Sequence, residues 1–303
     1  MRLQGVLDDV LDEVGPLVGN GVPALSIPAL RHVDVNRVGI AVATVDGRVH
    51  GAGAWSEPFS IQSVSKLFAL ALVFAHDGEA LWKRVQRQPS SLRYDALIQL
   101  DLDCGIPRNP FVNAGALAVV DRLLTLRGDA GAAVVAFLRA ESGNPDIGFD
   151  PTVAASEQGV SHRNAAAAHL MAAHGNLDQG IDDVLTHYIH QCAIAASCAD
   201  LARAGLFLAR AGRRNDGERL LTGLQTRRLN SILLTCGTYD AAGDVAYHVG
   251  LPAKSGIGGG VLAIVPGRGA VCAWSPGLDE AGNSIAAMAA LHHFSEATGW
   301  SVF

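Results

Sequence analysis

The sequence predicts an α+β protein, with one antiparallel sheet flanked by helices and joined to a mostly helical lobe. Three observations predict it. β-rich segments with hairpin turns lie near both ends of the chain, at 38–55 and 261–274. Between them, from about 80 to 235, alanine and leucine recur in helical runs and strand signals are sparse. Finally, 49% of the 303 residues are hydrophobic, enough for a substantial core. The whole chain, 1–303, reads as a single domain. Its sheet lobe comes from about 1–62 and 245–303, and its helical lobe from about 63–244.

The elements follow in order. Val6, Leu7, Val10, Leu11 and Val14 repeat at helical spacing and predict an amphipathic first helix, closed by Pro16 and Gly19-Asn20-Gly21. Val38 to Val45 is β-rich, Asp46-Gly47 signals a hairpin turn, and Arg48 to Trp55 reads as the return strand. An apolar helix starts near Ser63 and runs to about His76, before Asp77-Gly78. Ala114 to Leu126, Ala130 to Ala140, Asn164 to His174 and Cys198 to Ala211 read as helices. β character returns at Val261 to Val265, turns at Pro266-Gly267-Arg268-Gly269, and resumes from Ala270 to Trp274. Ser284 to Thr298 reads as a closing helix.

Composition narrows the function. The net charge is -6 with both signs scattered and no basic stripe, which argues against a nucleic-acid partner. The five cysteines, Cys104, Cys192, Cys198, Cys236 and Cys272, form no CxxC pair and read as reduced packing thiols. The N-terminus runs early into Asp8-Asp9 and Asp12-Glu13, unlike a secretory leader. No apolar stretch is long enough to span a bilayer. The expectation is a soluble, cytoplasmic protein without a membrane partner.

The chemistry concentrates in Ser63-Val64-Ser65-Lys66. Residues three apart on a helix share a face. A lysine there can take the serine proton once burial lowers its pKa, and a helix N-terminus favours developing negative charge. Alone, Ser-x-x-Lys is weak, since a serine at a helix start is more often a cap. The distant Lys254-Ser255-Gly256 strengthens the catalytic reading. Its glycine run, Gly256 to Gly260 around Ile257, is no phosphate loop, because a strand follows instead of a helix. Either it softens a strand entrance, or it lets substrate approach a backbone amide aimed at an oxyanion. Tyr188 and Tyr239 are two of only four tyrosines. By composition they are core or rim aromatics, although a phenol beside a Ser–Lys pair can relay protons. His187, His190, His292 and His293 have no third ligand at metal-site spacing.

Several stretches, taken together, resemble the bacterial serine-dependent glutaminases, a β-lactamase-like family. They are Phe59-Ser-Ile-Gln-Ser-Val-Ser-Lys66, Asn109-Pro-Phe-Val-Asn-Ala-Gly115, Ser156-Glu157 with Arg163-Asn164, Tyr188-Ile-His-Gln-Cys192, Thr235-Cys-Gly-Thr-Tyr-Asp240 and Gly250-Leu-Pro-Ala-Lys-Ser-Gly-Ile-Gly-Gly-Gly260. The resemblance implies a β-lactamase/penicillin-binding-protein-like fold and hydrolysis of L-glutamine to L-glutamate and ammonia, with no cofactor or metal. By the same resemblance Ser63 is the nucleophile, Lys66 its activating partner and Tyr188 a proton relay, and the amides of Ser63 and Ile257 form an oxyanion hole. Asn113, Glu157, Asn164 and Tyr239 fall at substrate-binding positions. A homo-oligomer, dimer or tetramer, is also implied. One position departs: Ser26 stands before Ile27-Pro28 where the family usually has a tyrosine.

Two other functions compete. Another Ser–Lys amidase or β-lactamase-like hydrolase would use the same pair, but a Ser-Asp-Asn motif is missing. A glutamine-binding pseudo-enzyme has Ser26 as its only support.

Overall fold

The computed structural model describes residues 2–303. From the N-terminus, α1 (Leu3–Val14) leads into the hairpin β1 (Gly39–Thr44) and β2 (Val49–Gly53), then the short β3 (Phe59–Ser60) and α2 (Ser65–Asp77). The middle of the chain holds α3 (Ile98–Leu102), α4 (Asn113–Arg127), α5 (Ala130–Ser142), β4 (Gly148–Phe149), α6 (Pro151–Gln158), α7 (His162–Ala173) and α8 (Ile181–Cys192). After β5 (Ile194–Ala196) come α9 (Cys198–Ala209), α10 (Gly223–Cys236) and α11 (Ala242–His248). The chain closes with β6 (Ala253–Ser255), β7 (Gly260–Val265), β8 (Gly269–Trp274) and α12 (Ile285–Thr298).

The main sheet runs β2-β1-β8-β7-β6 and is antiparallel throughout, with Gly39 opposite Trp274 and Gly260 on the other side of Trp274. Both faces are covered, so its central strands read as unbroken apolar runs instead of alternating ones. Ile40, Val42, Val261, Ala263, Val265, Val271 and Ala273 face α1 and α12. The alternate residues Ala41, Ala43, Leu262, Ile264, Ala270 and Cys272 face α9 and join the core of the helical region. Leu262 and Ile264 are fully buried, and each contributes about 1.5–3 kcal/mol by leaving water. Gly205 lets α9 lie close on the sheet, since a Cβ there would press on Leu262, Ile264 and Ala270.

The packing crosses the boundary expected between the lobes. α9 falls inside 63–244, yet it lies on β1, β7 and β8, and one core continues through it to α2, α4 and α5. A second, three-stranded sheet in the order β3-β5-β4 was invisible in the sequence, because strands of two or three residues show no period. It ties the segment before Ser63 to the end of α8: Ile61 N–H donates to Ile194 C=O at 2.8 Å.

Local chemistry sets the helix ends. Ser197 and Asp200 form a reciprocal capping box on α9, Thr222 and Gln225 form one on α10, and Ser284 caps α12. No helix is long and apolar enough to cross a membrane among the described residues.

Candidate active site

Ser63 does not lie within α2. It sits in a 3₁₀ turn, Gln62–Val64, immediately before it, and Lys66 is in the first α-helical turn. Gln62 has φ +48°, a left-handed value uncommon for a residue with a side chain. Tyr239 is likewise at φ +59°. Both are held by their surroundings, and backbone conformations this costly concentrate at functional sites.

The glycine run packs directly behind this turn. A Cβ on Gly256 would press on Ile61 C=O and on the amides of Ser63 and Val64, one on Gly258 would collide with Ser60 C=O, and one on Gly260 would enter the Phe59 ring. These glycines therefore make room for the protein's own backbone and the Phe59 ring, a use that neither sequence reading of the run had named. The result sets Ile257 beside Ser63. Neither the Ser63 nor the Ile257 N–H donates to any acceptor among the described residues. Two free amides next to one hydroxyl are what an oxyanion requires.

A cavity of about 150 Å³ opens here. Ser63, Asn113, Glu157, Asn164, Tyr188 and Ile257 all line it, although they come from six separate segments. Lys66 and Tyr239 stand just behind its wall. Lys66 is 1% exposed and donates to Phe111 C=O at 3.1 Å and to Asn113 Oδ1 at 2.7 Å. Its Nζ lies 5.7 Å from the Tyr188 ring centre and 5.6 Å from that of Tyr239. From Asn113 the network continues: Nδ2 donates to Asn164 Oδ1 at 2.8 Å, and Asn164 Nδ2 to Ser161 Oγ at 3.0 Å. Each amide nitrogen keeps a second hydrogen for a ligand.

Burial dominates the electrostatics. It lowers the Lys66 ammonium to about 8, although the Glu157 carboxylate pulls the other way. It raises Glu157 to about 7, because Gln62 Nε2 at 3.4 Å and the Lys66 charge compensate only in part. Burial also holds the Tyr188 and Tyr239 phenols above their ordinary value, and Ser63 lies close enough to Tyr239 to oppose that shift.

Sequence reasoning missed several residues of this site. Gln62 was only part of a motif, yet it supports Glu157. Tyr94 lines the cavity and packs on Tyr239 with ring centres 4.9 Å apart. Lys254 was read as motif chemistry without a contact. Its Nζ donates to Gly237 C=O at 2.8 Å and lies 4.1 Å from the Tyr239 ring centre, and burial pushes its pKa well down. The motif flagged the residue, and only the fold supplies these contacts. The departing Ser26 does line the cavity. The histidines stand apart from it: His187 meets Asp129 at 3.1 Å and His190 stacks on Phe149.

A family model described as Glutaminase matches residues 21–303. The chain belongs to the glutaminase family. A glutaminase of Streptomyces coelicolor is 56% identical over 98% of this chain and 97% of its own length. Among solved structures, a probable glutaminase, ybaS, superposes with a TM-score of 0.93 at 30% identity, covering 99% of this chain and 98% of that one. Mglu in its glutamate form gives 0.92 at 35% identity, covering all of this chain and 70% of that one. The glutaminase fold seen here is β-lactamase-like, with its antiparallel sheet flanked by helices.

Proposed function

We propose that this protein hydrolyses L-glutamine to L-glutamate and ammonia through a Ser63 acyl-enzyme. The observation that carries the mechanism is the pairing of one serine hydroxyl with two unengaged amides and a buried lysine of lowered pKa. In this reading Glu157 takes the substrate ammonium, and the spare amide hydrogens of Asn113 and Asn164 take its carboxylate. The side-chain amide then faces Ser63.

Lys66, neutral above about pH 8, receives the Ser63 proton. The protonated phenols of Tyr188 and Tyr239 border the path and can pass that proton to the leaving nitrogen. Attack forms the Ser63 Oγ–carbon bond and moves the carbonyl electrons onto oxygen, where the Ser63 and Ile257 amides stabilise them. Collapse expels ammonia, and water then cleaves the glutamyl ester. Titratable side chains and backbone amides suffice for each step. We further propose a homo-oligomer, as the family resemblance implies, built from single-domain subunits and located in the cytoplasm, as the acidic N-terminal segment suggests.

Ammonia release from L-glutamine by purified protein tests the reading. Ser63→Ala should lower kcat on the order of 10⁶-fold while the circular dichroism spectrum stays that of the wild type. Undiminished turnover by that variant would reject the acyl-enzyme. Tight glutamine binding by a wild type that releases no ammonia would instead favour a pseudo-enzyme.

A further inference from the structure

The turn carrying Ile257 is a thin partition. Ile257 lines the active-site cavity and also, together with Gly258, a second cavity of about 450 Å³. The glycines around it offer no side chains for packing, so hydrogen bonds must hold its shape. The feet of the turn are secured by backbone: Gly256 N–H to Gly260 C=O at 2.9 Å, Gly259 N–H to Gly256 C=O at 2.9 Å, and Ser275 N–H to Gly259 C=O at 3.1 Å. The crest is held differently. The Gly258 C=O accepts from the indole Nε1–H of Trp274 at 3.0 Å.

Trp274 is well placed as a brace. It is 4% exposed and lies opposite Gly260 in the β7–β8 pair. Its ring stacks on Phe59 at 4.9 Å between centres, with the planes 5° apart. Phe59 lies in β3, four residues before Ser63. The indole is thus fixed against the strand that leads to the nucleophile, and its N–H fixes the turn that carries the facing amide.

We infer that Trp274 is a positioning residue for the reaction: its indole N–H holds Gly258 so that the Ile257 amide keeps its aim at the oxyanion. This rests on the reading of the Ser63 and Ile257 amides as the oxyanion donors. Removing such a donor costs about 10²–10³ in kcat, and a donor left in place but loosely aimed loses part of that.

Two variants separate the brace from mere packing. Trp274→Phe removes the N–H and keeps an aromatic ring beside Phe59. Phe59→Leu removes the stack and keeps the N–H. Trp274→Phe should lower kcat about tenfold with KM for glutamine changed less than about twofold, since the interaction acts in the transition state. Its Tm should fall by no more than that of Phe59→Leu. Phe59→Leu should lower Tm at least as much but cost far less kcat, because the indole N–H remains. Wild-type kcat in Trp274→Phe would overturn the inference and leave the glutaminase reading intact. Loss of kcat in both variants in step with Tm would show packing alone and overturn it too. A wild type without Ser63-dependent turnover would remove the reading beneath it.

Discussion

Buried charge is treated in opposite ways in two regions of this molecule. In the middle of α4, Asp121 is fully buried, and every contact answers its charge. Arg84 donates to Oδ2 at 2.7 Å, and the amides of Asp178 and Gln179 donate to Oδ1 at 3.0 and 2.7 Å. At the cavity, Lys66 meets two neutral oxygens, Lys254 meets carbonyls and a ring, and Glu157 has one long amide contact. Completed networks fix structure. Incomplete ones leave groups whose protonation can change within the working pH range, and whose missing partner a substrate can supply.

The comparison breaks if variants in the two regions behave alike. Asp121→Asn should destabilise by on the order of 3–5 kcal/mol, because it leaves Arg84 partly buried without its closest anion. Denaturant titration measures this, and a change below about 1 kcal/mol would remove Asp121 from the structural side. Glu157→Gln should move stability the other way. The folded carboxyl is raised from 4.5 to about 7, so the folded state holds its proton more tightly. Stability from this group is therefore present below the unfolded value and lost as pH rises through 7. At pH 8 the substitution should stabilise by up to roughly 3 kcal/mol. It should also raise KM for glutamine sharply, and an unchanged KM would reject Glu157 as the ammonium anchor.

pH sharpens the contrast further. In the proposed mechanism Glu157 must be charged, which it is above about 7, and Lys66 neutral, which it is above about 8. Both requirements act in one direction, so kcat/KM should climb from pH 6 to about 8, and it should fall again at higher pH as the substrate ammonium that pairs with Glu157 loses its proton. A flat profile across that window would disqualify Lys66 as the base. The smallest effect belongs to the cavity mouth. Ser26→Tyr should lower KM for glutamine by a few-fold by closing space beside Glu157, and steady-state kinetics would detect it.

The sequence disclosed more of the site's membership than of its wiring. Ser63, Lys66 and the Lys254-to-Gly260 run stood out because each is a short, local pattern. Asn113, Glu157 and Asn164 were recognisable only through family resemblance, since an amide in the first turn of a helix or a carboxylate in the last has many other uses. The Tyr94–Tyr239 contact, the Gln62 support of Glu157 and the Trp274 bond depend on residues far apart in the chain, which no local period encodes. The same holds for the fold. The β1–β2 hairpin and β7–β8 were plain from turn chemistry and β-rich composition. The position of α9 was not, because a helix apolar on most sides announces burial without saying against what.

The order β2-β1-β8-β7-β6 also has a consequence for how the molecule is made. β1 emerges early from the ribosome, but the neighbour it pairs with, β8, is among the last strands to be synthesised. Until then its open edge is a template for wrong partners, and contacts this distant in sequence form slowly. Ser63 and the turn that faces it meet only when that seam closes. A nascent or C-terminally truncated chain would therefore carry Ser63, the proposed nucleophile, without the Ile257 amide set against it, and on that reading hydrolytic competence would appear only with release of the finished chain.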